Sequence, residues 1–156
     1  MKTFIFESIS FLSSKERKAK IIRFHPKKNL LVGENHTGKS TVIKNLFLTL
    51  GAHPEGDLRS WDPTYTNLVK FSFKDSSYTA IFHNGLRALY DADGHLLFSA
   101  NAHKKWTEYF SKFLEFNLIL TDKKSESVIA DSRCFFLPFY INQDGSWNSS
   151  WNTFKG

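Results

Sequence analysis

Along the chain, short runs of β-branched and aromatic residues alternate with polar breaks. Thr3 to Phe11 is such a run with partial alternation, and it predicts a strand. The charged stretch Ser13 to Lys20 predicts a turn, and a second strand is expected over Lys20 to His25, stopped by Pro26. Asn29-Leu30-Leu31-Val32 is a short apolar run opening directly into Gly33, which predicts a buried strand. From Ser40 the period changes. Val42, Ile43, Leu46, Phe47 and Leu50 recur at helical spacing, and Gly51 supplies the stop.

Ala52 to Thr66 is rich in Pro, Gly, Asp and Ser and reads as a surface loop. Strand-like pieces then come in quick succession: 68–73, 78–83, 86–90 and 96–99. Asn84-Gly85 lies between two of them, the strongest short-range hairpin signal, so an antiparallel meander is expected over about 66–99. Trp106, Phe110, Phe113 and Leu114 place a helix over 102–116. Short strands at 118–121 and 128–130 flank a polar turn. A last apolar strand is expected from Cys134 to Ile141, followed by a polar stretch from Gln143 to Gly156.

Composition narrows the class. A chain of 156 residues fits one domain burying roughly 70% of its unfolded surface. Its 41% apolar content and 25 aromatic rings argue against disorder. The single cysteine, Cys134, forbids an internal disulfide and fits a reducing compartment; beside Phe135 and Phe136 it reads as a buried apolar residue. No apolar run approaches the ~20 residues that span a bilayer, and Met1-Lys2-Thr3-Phe4 does not open a secretory signal, so a cytoplasmic location away from the membrane is expected. His25, His36, His53, His83, His95 and His103 show no metal-ligand spacing. The net charge of +6 permits a polyanionic partner without demanding one, and Lys15, Arg17, Lys18, Lys20, Lys27 and Lys28 form a basic stretch able to touch a DNA backbone.

The specific signal is Gly33-Glu34-Asn35-His36-Thr37-Gly38-Lys39-Ser40, which matches the phosphate-loop pattern G-x-x-x-x-G-K-[ST] at every fixed position, ahead of an amphipathic helix. Glycines let the backbone turn its N–H groups toward phosphate oxygens, and the helix N-terminus adds partial positive charge. In that arrangement Lys39 neutralises the β- and γ-phosphates of ATP and the Ser40 hydroxyl ligates Mg²⁺. His36 stands where glycine is frequent in such loops, and it is among the residues that best tolerate positive φ.

Asn29-Leu-Leu-Val-Gly-Glu-Asn-His-Thr-Gly-Lys-Ser-Thr41 resembles the phosphate loop of SMC-type ABC ATPases, including double-strand-break-repair ATPases and RecN- and RecF-like proteins. Two more matches carry the resemblance. Arg59 follows Lys39 at the spacing of the family's R-loop arginine, which approaches nucleotide or DNA. Phe139-Tyr-Ile-Asn-Gln143-Asp-Gly-Ser-Trp147 resembles the Q-loop, implying that Gln143 ligates Mg²⁺ and helps place the attacking water. The loop together with the Gln-Asp-x-Ser-Trp stretch is also similar to SMC-like subunits of Lamassu-type anti-phage systems.

The resemblance implies an α/β P-loop NTPase fold: the N-terminal lobe of an ATPase head spanning 1–156, with a mixed sheet around the phosphate-loop helix and the antiparallel meander beside it. ATP and Mg²⁺ are the implied cofactors, held by residues 33–41, Arg59 and Gln143. The implied partners are the C-terminal lobe of the same head, a second head in a homodimer, DNA, and a nuclease or effector subunit. The signature motif, the acidic strand with its catalytic Glu and the coiled coil of such heads have no counterpart in this sequence. Hydrolysis needs a positioned base, so negligible turnover is expected of these residues alone. Three alternatives stay open. One is an OLD-like ATPase of a nuclease system, and another a nucleotide-sensing module without catalysis. The third is a small self-contained P-loop kinase, against which counts the scarcity of arginines after the loop (Arg59, Arg87 and Arg133).

Overall fold

A computed structural model describes residues 3–34, 38–54, 64–121 and 125–139. The strands β1 (Phe4–Ser13), β2 (Lys18–Arg23), β3 (Thr66–Phe73), β4 (Ser76–His83), β5 (Leu86–Tyr90) and β6 (Leu96–Ala100) form one sheet in the order β2-β1-β3-β4-β5-β6. Every pairing in it is antiparallel. The expected mixed sheet is therefore corrected. The meander is continuous with the N-terminal hairpin, because β3 returns through helix α1 (Lys39–Thr49) to pair with the free edge of β1. Asn84 and Gly85 take positive φ (44° and 83°), as the type I′ turn between β4 and β5 requires.

Alternation sorts the strands into two faces. In β3, Asn67, Val69, Phe71 and Phe73 are buried while Lys70 is exposed. The buried row meets Leu46, Phe47 and Leu50 of α1, and Trp106, Phe110 and Leu114 of the region around helix α2 (His103–Phe113). Phe4 stacks on Phe71 at 4.7 Å, and Phe110 lies edge-on to Phe71 at 6.1 Å. A small hairpin, β7 (Ile119–Thr121) with β8 (Ser127–Ile129), leads into helix α3 (Ser132–Phe136) and a 3-10 turn at Leu137–Phe139.

Two expected strands are not formed. Residues 29–32 have no strand partner among the described residues; Leu30 is 86% and Val32 82% exposed. A strand needs neighbours for its backbone groups, and Asn29 is committed elsewhere. Its Oδ1 accepts from His25 N–H (2.7 Å) and its Nδ2 donates to His25 O (2.7 Å), closing a turn around Pro26. The first part of the expected strand 134–141 is helical instead. Asp131 caps it, its Oδ1 accepting from the Arg133 amide (2.9 Å), and Phe136 fills the core against Phe47 and Phe110. Tertiary packing of the aromatic pair overrides its β propensity.

Helix α1 positions the candidate site, and its C-terminal end is held from several sides. Ala52 N–H donates to Phe47 O (2.9 Å) and Gly51 N–H to Leu48 O (3.1 Å), a Schellman motif with Gly51 at φ 94°. Trp106 Nε1 donates to Leu50 O (2.9 Å), and buried Arg87 donates from Nε (3.2 Å) and Nη2 (3.0 Å) to Leu48 O. Asn67 Nδ2 on β3 donates to Asn45 Oδ1 in mid-helix (2.7 Å).

Gly51→Ala is expected to destabilise the fold by about 2–4 kcal/mol, since a Cβ would lie 2.5 Å from Trp106 Cδ1 on a left-handed backbone. Urea unfolding reads it; a loss below ~0.5 kcal/mol would refute this packing. The pH dependence follows from His53, whose pKa is lowered to about 4 by burial first, then by Arg87, His103 and Arg133. The unfolded imidazole titrates near 6.5, so between there and about pH 4 the unfolded chain binds the extra proton. Stability should fall as pH drops through that window, and His53→Gln should flatten the decline in denaturation midpoints measured from pH 7 to 4.

Candidate functional site

The phosphate-loop residues are divided. Gly33, Glu34, Gly38, Lys39, Ser40 and Thr41 are described, whereas Asn35, His36 and Thr37 lie outside the described residues, as do Arg59 and Gln143 with the expected Q-loop at 141–147. The described part closes on itself. Lys39 Nζ donates to Gly33 O and to Glu34 O, both at 2.6 Å, so the side chain leaving the helix returns to the start of the loop.

Gly38 makes the turn possible. It sits at the N-cap with φ 85° and ψ 11°, where an L side chain is strained. The first intrahelical bond runs from Val42 N–H to Gly38 O (3.0 Å), so the amides of Lys39, Ser40 and Thr41 precede the helical ladder. No side chain caps this end and no acidic residue occupies its first turn. Within that first turn no carboxylate offsets the partial positive charge of the helix start. Ser40 is exposed, and Thr41 O is taken by Asn45 Nδ2 (2.8 Å), which ties the first turn to the network reaching Asn67 on β3. The Lys39 ammonium, the amides ahead of the helical ladder and the exposed Ser40 hydroxyl are the groups here that could hold a polyphosphate and its magnesium.

Other candidates fall into place differently. The basic stretch follows the β1–β2 turn and β2, with Lys15, Arg17, Lys18 and Lys20 exposed; Lys18 Nζ is 3.8 Å from Glu16 Oε2. The Cys134 thiol is half-buried and its pKa is pushed up, chiefly by burial, which opposes a role as nucleophile.

Sequence reasoning did not single out a second concentration of chemistry. Arg87 on β5, His53 after α1, His103 at the start of α2 and Arg133 on α3 line one cavity. They come from four separate elements, so no local spacing could have revealed them.

Comparison with known proteins now gives a direction. The chain is similar to Lamassu protein LmuB of Bacillus cereus, with 29% identity over 154 residues covering 98% of this chain and 26% of the relative. It is also similar to Lamassu protein LmuB of a Bacillus sp., with 26% identity over 147 residues covering 92% of this chain and 25% of the relative. The near-full coverage supports a link to Lamassu proteins. The chain spans about a quarter of the length of the curated relatives it matches. No family model matches the chain, and no solved structure matches it. Among the described residues, no helix is long and apolar enough to cross a membrane.

Gly38→Ala meets open space, so its cost is purely conformational. It should destabilise by about 1–2 kcal/mol. A thermal midpoint unchanged from wild type would mean that the loop does not need positive φ here.

Proposed function

We propose that this chain contributes to Lamassu-type anti-phage defence as the ATP-binding half-head of an SMC-like ATPase. The observation that carries the reading is the closed loop: Lys39 Nζ on both Gly33 O and Glu34 O, at the uncapped N-terminus of α1. The likeness to LmuB supplies the biological direction.

In this reading the amides of residues 38–41 and the Lys39 ammonium take the phosphates of ATP, and Ser40 takes Mg²⁺. Gln143 completes the metal site and Arg59 approaches nucleotide or DNA. A C-terminal lobe and a second head complete a site competent for hydrolysis, and nucleotide-dependent head dimerisation is coupled to DNA engagement. A nuclease or effector subunit is the further partner.

Lys39→Ala tests the reading. It should lower ATP affinity in calorimetry by at least about tenfold, the loss of one charge-assisted contact. It leaves the Asn45–Asn67 link and the α1 C-terminal contacts untouched, so the melting temperature should stay close to wild type. Unchanged ATP affinity in a folded variant would overturn the assignment.

A further inference from the structure

At the end of α1 opposite the phosphate loop, the cavity lined by Arg87, His53, Asn101, His103 and Arg133 has a volume of about 450 Å³. Its chemistry is unbalanced. Arg87 is only 3% exposed, yet among the described residues no carboxylate forms an ion pair with it. Its guanidinium is satisfied in part by Leu48 O and lies 4.7 Å from the centre of the Phe82 ring. Neither contact neutralises a buried cation. Arg133 differs, because Asp131 grips it through Nε at 2.9 and 2.7 Å as well as through Nη2.

The histidines add capacity rather than balance. His53 Nε2 lies 3.3 Å from Arg87 Nη2 and must accept that donor, so the ring is neutral. His103 stands edge-on to His53 with ring centres 4.8 Å apart, and its Nδ1 is buried without a hydrogen-bond partner. The start of α2 opens on the same cavity. Ala102 at its N-cap provides no side-chain bond, and its first turn holds no acidic residue. A guanidinium with no ion pair and an imidazole nitrogen with no hydrogen-bond partner, both among the described residues, thus converge with an uncapped helix start from β5, the segment after α1, and α2. Donors arriving from several directions suit a tetrahedral acceptor better than a planar one.

We propose that this cavity is a binding site for a compact oxyanion, phosphate in particular, held by Arg87 and His103 with His53 as the third wall. The site is independent of the nucleotide reading, since the 11 residues of α1 put roughly 16 Å between it and the phosphate loop. A larger cavity of about 690 Å³ adjoins it through His103 and Arg133, giving room for whatever the phosphate is attached to. The source is either a free phosphorylated small molecule or the terminal phosphate of a nucleic acid.

The test uses Lys39→Ala protein, which weakens any phosphate binding at the loop, with inorganic phosphate as the probe and the histidine signals of the cavity as the readout. Histidine ring signals are followed by NMR across pH. Besides each other, His53 and His103 face Arg87 from β5 and Arg133 with Asp131 from the α3 end. Saturating phosphate should raise the titration midpoints of both by about one pH unit. His103→Asn, which leaves the Arg87–Leu48 contact intact, should weaken phosphate binding at least severalfold, and Arg87→Gln, if folded, should abolish it. Competition against phosphate by AMP identifies a free small molecule, and by a 5′-phosphorylated oligonucleotide a nucleic-acid end. Unmoved His53 and His103 signals at saturating phosphate, or equal affinity in His103→Asn, would overturn the proposal.

Discussion

A helix can leave its first-turn amides bare for a ligand only if something else holds it in place. Helix α1 is held from its middle onward. Asn67 on β3 donates a buried hydrogen bond to Asn45 of the helix, and Leu46, Phe47 and Leu50 carry the apolar contact. Its last carbonyls are consumed by Gly51, Ala52, Trp106 and Arg87. Buried side-chain hydrogen bonds of this kind contribute about 1 kcal/mol each, and leaving one partner unsatisfied costs more. The N-terminal end carries no side-chain cap, so its position rests on these distant contacts, as a phosphate-binding turn requires.

The same arrangement explains how much of the fold was legible. The meander, the hairpin turn at Asn84-Gly85 and both long helices follow from local period and turn chemistry, which act within a few residues. Gly51 was readable as a helix stop for the same reason. The antiparallel pairing of β1 with β3 was not, because it depends on the path of the chain through α1 rather than on the residues of either strand. The segments 29–32 and 134–141 share a different cause. An apolar run predicts burial without specifying what covers it, and for 29–32 the expected burial does not occur. Phe136 found its cover as a helix residue, whereas Leu30 and Val32 have none among the described residues.

For the candidate site the division is sharper. The loop was read from a pattern at fixed spacing on one continuous stretch; in its described part Lys39 Nζ donates to Gly33 O and Glu34 O, and residues 35–37 lie outside the described residues. Arg59 and Gln143 lie outside the described residues and rest on the resemblance. The cavity around Arg87 was invisible, since residues 53, 87, 103 and 133 meet only after β5, α2 and α3 have packed on the end of α1.

Lys39 shows how the two halves of the account join. Its ammonium donates to two carbonyls that belong to the loop itself, so the loop keeps a closed shape at the expense of the lysine's availability. A charge-assisted bond to phosphate is roughly twice as strong as one to a neutral carbonyl. In the proposed nucleotide reading, an exchange from carbonyl to phosphate would replace two neutral acceptors with a charged one, and water could take the carbonyls that are given up. Restraint of α1 at its far end keeps that exchange local. Leu48 O and Leu50 O are tied to Arg87 and Trp106, which anchors the end of the helix opposite the amides of residues 39–41.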